Sequence, residues 1–389
     1  MTLSRRKFLI QSTVLGCSAA ASPLLTPVTL AAAPGDNRLV VIILRGAMDG
    51  LGVVRPSGDA DYARYRPSLA ADNDMQDLDG FFALNGALKG LMPLWHAKEL
   101  SFVQAVSTPY RDKRSHFDGQ DLLETGSDDA SGAPKSGQTG WLNRALGLLP
   151  DARQETAFSV GTARMLLLDG AQPYSSWSPG ADLEMSPQTE ALLAGIYADD
   201  PLFASSAEMA LDLSAKTESM AGGRAGNAKA LAAFTAARLN EETRIASFSI
   251  GGWDTHNNQN RNLARALKQL SDAILALKSG LGANWQRTTI MAITEFGRTA
   301  RENGSGGTDH GTGGAMVMAG GALNGGHVFG QWPGLGELDL YQNRDLEPTD
   351  DVRRYLGWAL RDLFGMEASA LGSTVFPGVD MGDNVGIIA

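Results

Sequence analysis

The sequence predicts an α/β protein of three layers, α/β/α, built on a mostly parallel central sheet. One observation behind this is a set of short, largely apolar runs at 39–44, 100–106, 245–250, 288–294 and 315–319, the first of them continuous and rich in β-branched residues. Runs of that length and continuity read as strands buried on both faces. A second is that helical periodicities separate most of the runs, the alternation that produces parallel strands with crossover helices. In such a sheet the carboxyl ends of the strands open onto one crevice.

Composition sets the frame for function. The chain has 389 residues, 43% hydrophobic and 20% charged, with 46 glycines that suit many strand-to-loop switches and loops closing on a site. Residues 1–33 read as a removable leader. Ser4, Arg5, Arg6, Lys7, Phe8 and Leu9 form a twin-arginine motif, followed by a modestly apolar segment and small residues. The expected partner is then the twin-arginine export machinery, and the destination the periplasm or cell surface of a bacterium. Residues 34–389 would form a single domain. The only cysteine, Cys17, lies in the leader, where lipoprotein cleavage is the alternative to ordinary cleavage near 29–33. The mature chain then has no thiol, so any metal must use oxygen and imidazole ligands. A formal net charge of −10, more negative once Arg5, Arg6 and Lys7 are removed, argues against a nucleic-acid partner. No later stretch has the length of a membrane span.

Taken in order, the run 39–44 ends in Arg45, Gly46, Ala47, Met48, Asp49 and Gly50, an acid between glycines that also fits an Asp-Gly turn. Residues 84–96 have helical spacing, with Leu88, Leu91, Met92 and Trp95 on one face and His96 at the surface. The strand 100–106 leads to Arg114, Ser115, His116, Phe117 and Asp118, and then to a helix closing at Thr125 and Gly126. A serine at a helix start sits among unpaired N–H groups that favour negative charge; Arg111, Lys113 and Arg114 reinforce this, although Ser115 can be a cap and nothing more. Residues 126–140 read as a surface loop, 157–169 as a strand pair with 165–168 as its apolar part, and 172–187 as a loop carrying Trp177. Helices are expected at 189–197 and through the Ala-rich stretch to 239.

The strand 245–250 ends in Gly251, Gly252, Trp253, Asp254, Thr255 and His256, just before a helix at 260–277. Here too the bland alternative is a capping Asp and a surface His. The strand 288–294 ends in Glu295, Phe296, Gly297, Arg298 and Thr299. A glycine-rich loop leads to Thr308, Asp309, His310 and Gly311 and into the run 315–319. His327 follows two glycines, and a helix is expected at 351–364.

Asp49, Ser115, Asp254, His256, Glu295, Asp309 and His310 therefore all fall at or just beyond strand ends, and they include two of the five histidines. Carboxylates with imidazoles are a ligand set for zinc, manganese or similar divalent ions, and crowded carboxylates need such a charge between them. The order strand–Asp, Ser at a helix start, Asp…His, strand–acid–Gly and His-Gly before a strand resembles the alkaline phosphatase and sulfatase superfamily. More narrowly, the segments 44–50, 114–120, 251–256, 294–299 and 309–311 resemble the twin-arginine-exported domain of unknown function 1501 family.

That resemblance implies an alkaline phosphatase-like fold and an exported, metal-dependent hydrolase of phosphate or sulfate esters. It implies one or two divalent ions, zinc first, with manganese, calcium or magnesium as alternatives. Asp49 and Glu295 would line one metal position, and Asp254, His256 and His310 the other. Asp309 and His310 can alternatively be read as the Asp-His pair itself, with His327 as the later ligand. Ser115 would be the nucleophile, Arg114 or Arg298 would hold non-bridging oxygens, and His116 would be an acid/base group or a substrate contact. Three departures stand out: Phe296 where the superfamily often has histidine, the tight Asp-x-His spacing at 254–256, and Ser115 lying one residue further before Thr125 than the pattern has it. The rival reading is a non-catalytic, metal- or ligand-binding exported protein on a decayed hydrolase fold. A metal-free serine hydrolase is disfavoured because no Gly-x-Ser-x-Gly elbow occurs.

Overall fold

All five apolar runs lie side by side in the middle of one nine-stranded sheet. The computed structural model describes residues 36–71, 74–129, 138–162, 165–177 and 227–389. The sheet strands are β1 (Arg38–Leu44), β2 (Leu100–Ser107), β3 (Ala157–Val160), β4 (Ser175–Trp177), β5 (Ile245–Ile250), β6 (Thr288–Ile293), β7 (Gly314–Ala319), β8 (Val328–Phe329) and β9 (Asp350–Asp351). Their order is β8-β2-β7-β6-β1-β5-β3-β4, with β9 also paired to β2. Every pairing is parallel except those of β7, which runs against both β2 and β6.

Alternation along β1 explains the three layers. Val40, Ile42 and Leu44 face one side, where α2 (Ala228–Leu239) and α3 (Gln259–Leu281) contribute Leu231, Phe234, Leu263, Leu267, Leu270, Ile274 and Leu277. Leu39, Val41 and Ile43 face the other, covered by Trp141, Leu142 and α4 (Val352–Phe364). Each of these fully buried aliphatic side chains stabilises the fold by about 1.5–3 kcal/mol. With both faces covered, no polar position interrupts β1, which is why it reads as an unbroken apolar run.

The reversed β7 decides where the site loops go. The chain leaves β6 at the carboxyl edge and re-enters β7 at that same edge, so 295–313 is an excursion confined to the crevice. Gly297 and Gly313 make its crossing possible: a Cβ on Gly297 would stand 1.8 Å from the Gly313 carbonyl oxygen. His327 falls at the opposite edge, where Phe102 near the start of β2 donates its N–H to the His327 carbonyl. It cannot be the later ligand, so the alternative built on it is excluded.

Two local expectations change. Residues 84–96 are not one helix but a strand Ala83–Asn85, a 3₁₀ turn Gly86–Leu91 capped by Asn85, and a short helix Met92–His96 with proline in its first turn. Residues 165–168 do not form a strand: Leu166–Leu168 is a 3₁₀ turn, and β3 pairs instead with β4, inside the segment expected as a loop. The expected leader with Cys17, the expected helix at 189–197, the Ala-rich stretch before 227 and the parts of the expected loops at 130–137 and 178–187 lie outside the described residues. Residues 36–389 form one unit. No helix among the described residues is long and apolar enough to cross a membrane.

Candidate metal centre

The loop after β5 carries the first donors. Gly252 takes a φ of 95° and lets the chain turn so that Trp253 drops into the core, its indole N–H donating to the Ile250 carbonyl at 2.9 Å. Asp254 is then lifted clear. It caps no helix: the residue preceding α3 is Asn258, and Asp254 is instead held by Arg298, whose Nη2 donates to Oδ1 at 2.6 Å. Burial pushes the Asp254 carboxyl upward, but Arg298 and the neighbouring imidazoles outweigh it and hold the pKa at about 2.

Two imidazoles converge on that carboxylate. His256 Nε2 lies 3.0 Å and His310 Nε2 3.2 Å from Asp254 Oδ1, and the two Nε2 atoms are 2.9 Å apart. The opposite ring nitrogens fix the tautomers. His310 Nδ1 faces the Arg114 carbonyl at 2.9 Å, and a carbonyl only accepts, so Nδ1 carries the proton. His256 Nδ1 faces Asp309 Oδ1 at 3.3 Å; hydrogen bonding from Asn303 first, and then His256, holds Asp309 below the usual carboxylate range, so it too accepts. With Nδ1 as donor on both rings, the two Nε2 atoms turn toward each other and toward a carboxylate oxygen. Beyond the Arg298 contact to Oδ1, two imidazole nitrogens this close to each other and to a carboxylate repel unless a proton or a cation lies among them. Imidazoles whose far nitrogens are held by a carboxylate and a carbonyl are a recurrent support for metal ligands. The donor set fits a divalent cation, with N and O donors that suit zinc.

His116 joins from a third element. Ser115 caps α1 (His116–Thr125), its Oγ accepting from the Asp118 N–H at 3.4 Å, and Gly126 closes the helix at φ 63°. This sets His116 on the first turn, with Nδ1 2.8 Å from Glu295 Oε1 and Nε2 3.5 Å from Asp254 Oδ2. The bond to Glu295 raises the His116 pKa, against the opposing effect of burial. One donor atom each from His116, Asp254 and His310 falls within 4.8 Å of the others.

The other expected ligands are tied up. Asp49 is 1% exposed; both its oxygens bind Arg66, at 2.6 and 3.0 Å, and Gln259 donates to one of them. Arg66, with no exposed surface, also donates to the Thr299 and Ala300 carbonyls. Asp49 is thus half of a buried ion pair that fastens the β1 loop to the 295–313 excursion, with both oxygens engaged by protein donors. Glu295, also with no exposed surface, accepts from the Gly46 N–H at 2.9 Å, from His116, from Gln120 at 3.1 Å and from the Thr294 hydroxyl at 2.9 Å. Phe296 fills the space beside it, stacked on Tyr110 and His116 with centroids 5.9 and 5.2 Å away. At the position expected for a second metal, both carboxylates are therefore buried and engaged by protein donors. Asp309 lies behind His256, its Oδ1 3.3 Å from the far ring nitrogen Nδ1. Arg298 does not reach toward substrate: its guanidinium is buried and spent on the carbonyls of Gly46, Ala47, Trp253 and Thr308 and on Asp254. Arg114, by contrast, is exposed, and its side chain makes no hydrogen bond or ion pair among the described residues.

No curated protein matches the sequence. Among solved structures, the C-terminal periplasmic domain of EcEptC from Escherichia coli, in complex with Zn, aligns over 91% of this chain and 93% of its own, with 9% identity and a TM-score of 0.39. A protein in the alkaline phosphatase superfamily from Vibrio parahaemolyticus aligns over 85% and 67%, with 11% identity and a TM-score of 0.36. The lipoteichoic acid synthase LtaP from Listeria monocytogenes aligns over 68% of this chain, which spans 57% of the synthase, with 10% identity and a TM-score of 0.36. The model of the family described as "Protein of unknown function (DUF1501)" matches residues 36–370, and the chain belongs to that family.

Proposed function

We propose that the protein is an exported hydrolase of phosphate or sulfate esters that uses one divalent ion, zinc first, and Ser115 as nucleophile. The single observation that carries the reading is the convergence of three acceptor atoms, from Asp254, His256 and His310, within 3.2 Å beside the start of α1. These three residues would hold the ion. When bound, it would supply Lewis-acid polarisation of the ester and make a nearby hydroxyl easier to deprotonate.

The chain's own groups supply the rest. Ser115 Oγ makes only a long cap bond, 3.4 Å, so the hydroxyl can leave its cap to attack. In the attack the Oγ–H proton passes to water, an Oγ–P or Oγ–S bond forms and the ester O–P or O–S bond breaks. The leaving oxygen would take its proton from water, which reaches the site past the half-exposed Asp254 and Asp309 side chains. A second displacement by water then releases the acid and restores Ser115. The first-turn N–H groups of α1 favour the developing negative charge. Arg114 offers a free guanidinium fork to the non-bridging oxygens. Residues 1–33 would direct export.

A specific observation favours the rival reading of a non-catalytic metal-binding protein: at the second metal position Asp49 and Glu295 are buried and engaged by protein donors, with Phe296 beside Glu295. The deciding experiment measures bound zinc and turnover of aryl phosphates, phosphodiesters and aryl sulfates by the purified protein, with Ser115→Ala and Asp254→Ala alongside. Hydrolysis predicts that Ser115→Ala keeps zinc and loses turnover by at least about 10³-fold, while Asp254→Ala loses both. Zinc without turnover on any of these esters in the unmodified protein selects the rival.

A further inference from the structure

We propose that His116 is a fourth ligand of the ion held by Asp254, His256 and His310, and that Glu295 is the positioning residue that aims it. This rests on the single-metal reading above and assigns to the helix start a role that reading leaves open.

Three observations converge. His116 Nε2 is buried and has no hydrogen-bond partner, although it points toward Asp254 Oδ2, 3.5 Å away. An orphaned, buried imidazole nitrogen beside three other acceptor atoms asks for a cation. Next, Glu295 fixes which nitrogen is free. Its carboxylate takes the proton-bearing Nδ1 at 2.8 Å, leaving the lone pair on Nε2, the pattern in which a second-layer carboxylate orients a ligating histidine. Glu295 has no Lys or Arg within ion-pair distance among the described residues, so the charge that compensates its burial must come through His116. Finally, the ring plane is clamped. Phe296 stacks beneath His116 at 21° between planes, and Gly119 of α1 leaves room for Phe296, since a Cβ there would stand 2.9 Å from its ring.

Phe296 is then the bed on which an imidazole from α1 lies, and the nitrogen absent at position 296 is supplied from position 116. Because His116 follows Ser115 directly, ligation would also fix the helix start that carries the nucleophile.

The test measures zinc affinity by chelator competition, and the visible absorption of the cobalt-substituted protein, for wild type, His116→Gln and Glu295→Gln. Both variants should keep one site and bind zinc about 10–100-fold more weakly, with an altered cobalt spectrum. Wild-type affinity and spectrum in His116→Gln would overturn the ligand assignment and return His116 to acid/base work. Loss in His116→Gln but not in Glu295→Gln would overturn the positioning role. Should Glu295→Gln fail to fold, imidazole ¹⁵N shifts of the zinc-loaded wild type decide: His116 protonated at Nδ1 supports the proposal, and protonation at Nε2 overturns it. None of these readouts needs turnover. An inactive protein with the expected affinities removes only the hydrolase reading, whereas a wild type that binds no zinc removes both.

Discussion

At the scale of single residues, the site is a contest for lone pairs. Asp49 and Glu295 have the same strand-end placement as Asp254, yet only Asp254 keeps an exposed carboxylate, its side chain 48% accessible. What separates them is the partner. Arg66 takes both oxygens of Asp49, while Arg298 takes one oxygen of Asp254 and leaves the other free. The His116–Glu295 pair gives a pH signature. The bond to Glu295 raises the pKa of His116 above its ordinary 6.5. In metal-free protein the pair's contribution to stability is therefore fully present below the unfolded value and is lost as pH rises through the raised folded value. Zinc competes with that proton, so its own stabilising contribution grows as pH rises. Between about pH 6 and about pH 8 the unfolding temperature should fall with a chelator present and hold or rise with zinc. Thermal unfolding in the two conditions checks this; curves of the same shape would contradict it.

At the scale of elements, the site is made by loops held against one another by close backbone approach and by buried ions. Gly46, at φ 121°, lets the β1 loop pass so near the β5 loop that a Cβ there would stand 2.6 Å from the Asp254 nitrogen. Gly297 plays the same part for the 295–313 excursion. Gly297→Ala should destabilise the protein by about 3 kcal/mol, because the new methyl would overlap the Gly313 carbonyl rather than a movable side chain. Denaturant unfolding measures it, and a change under about 0.5 kcal/mol would show that the crossing is looser than described. Asp49→Asn tests the ion pair. Leaving Arg66 buried without its counter-charge should cost about 3–5 kcal/mol while zinc stoichiometry stays at one; loss of bound zinc from a folded variant would restore Asp49 as a ligand.

At the scale of the whole molecule, much of the architecture was legible in the sequence because burial on both faces writes itself as unbroken apolar runs. The direction of β7 was not, since a run such as 315–319 reads alike in either direction. The strand β4 was missed because Ser175, Ser176 and Trp177 form an edge strand too short and polar to show a period. For the site, the cluster of Asp254, His256 and His310 was visible because glycine-flanked acids and imidazoles recur at strand ends. The fate of Asp49 was hidden, since a carboxylate that meets a buried arginine and one that meets a metal carry the same local signature. Arg66 lies in no motif that would separate them. The part played by His116 had one available signal: a chain with Phe296 in place of an imidazole also carries a histidine directly after its candidate nucleophile.

The proposed function requires a single metal centre on Asp254, His256 and His310. It is tested most directly by anomalous diffraction at the zinc edge from crystals of the zinc-loaded protein. The expected map has one peak per chain, about 2.0–2.2 Å from donor atoms of these three residues, and none within bonding distance of Asp49. A second peak between Asp49 and Glu295, or no peak at Asp254, would contradict it.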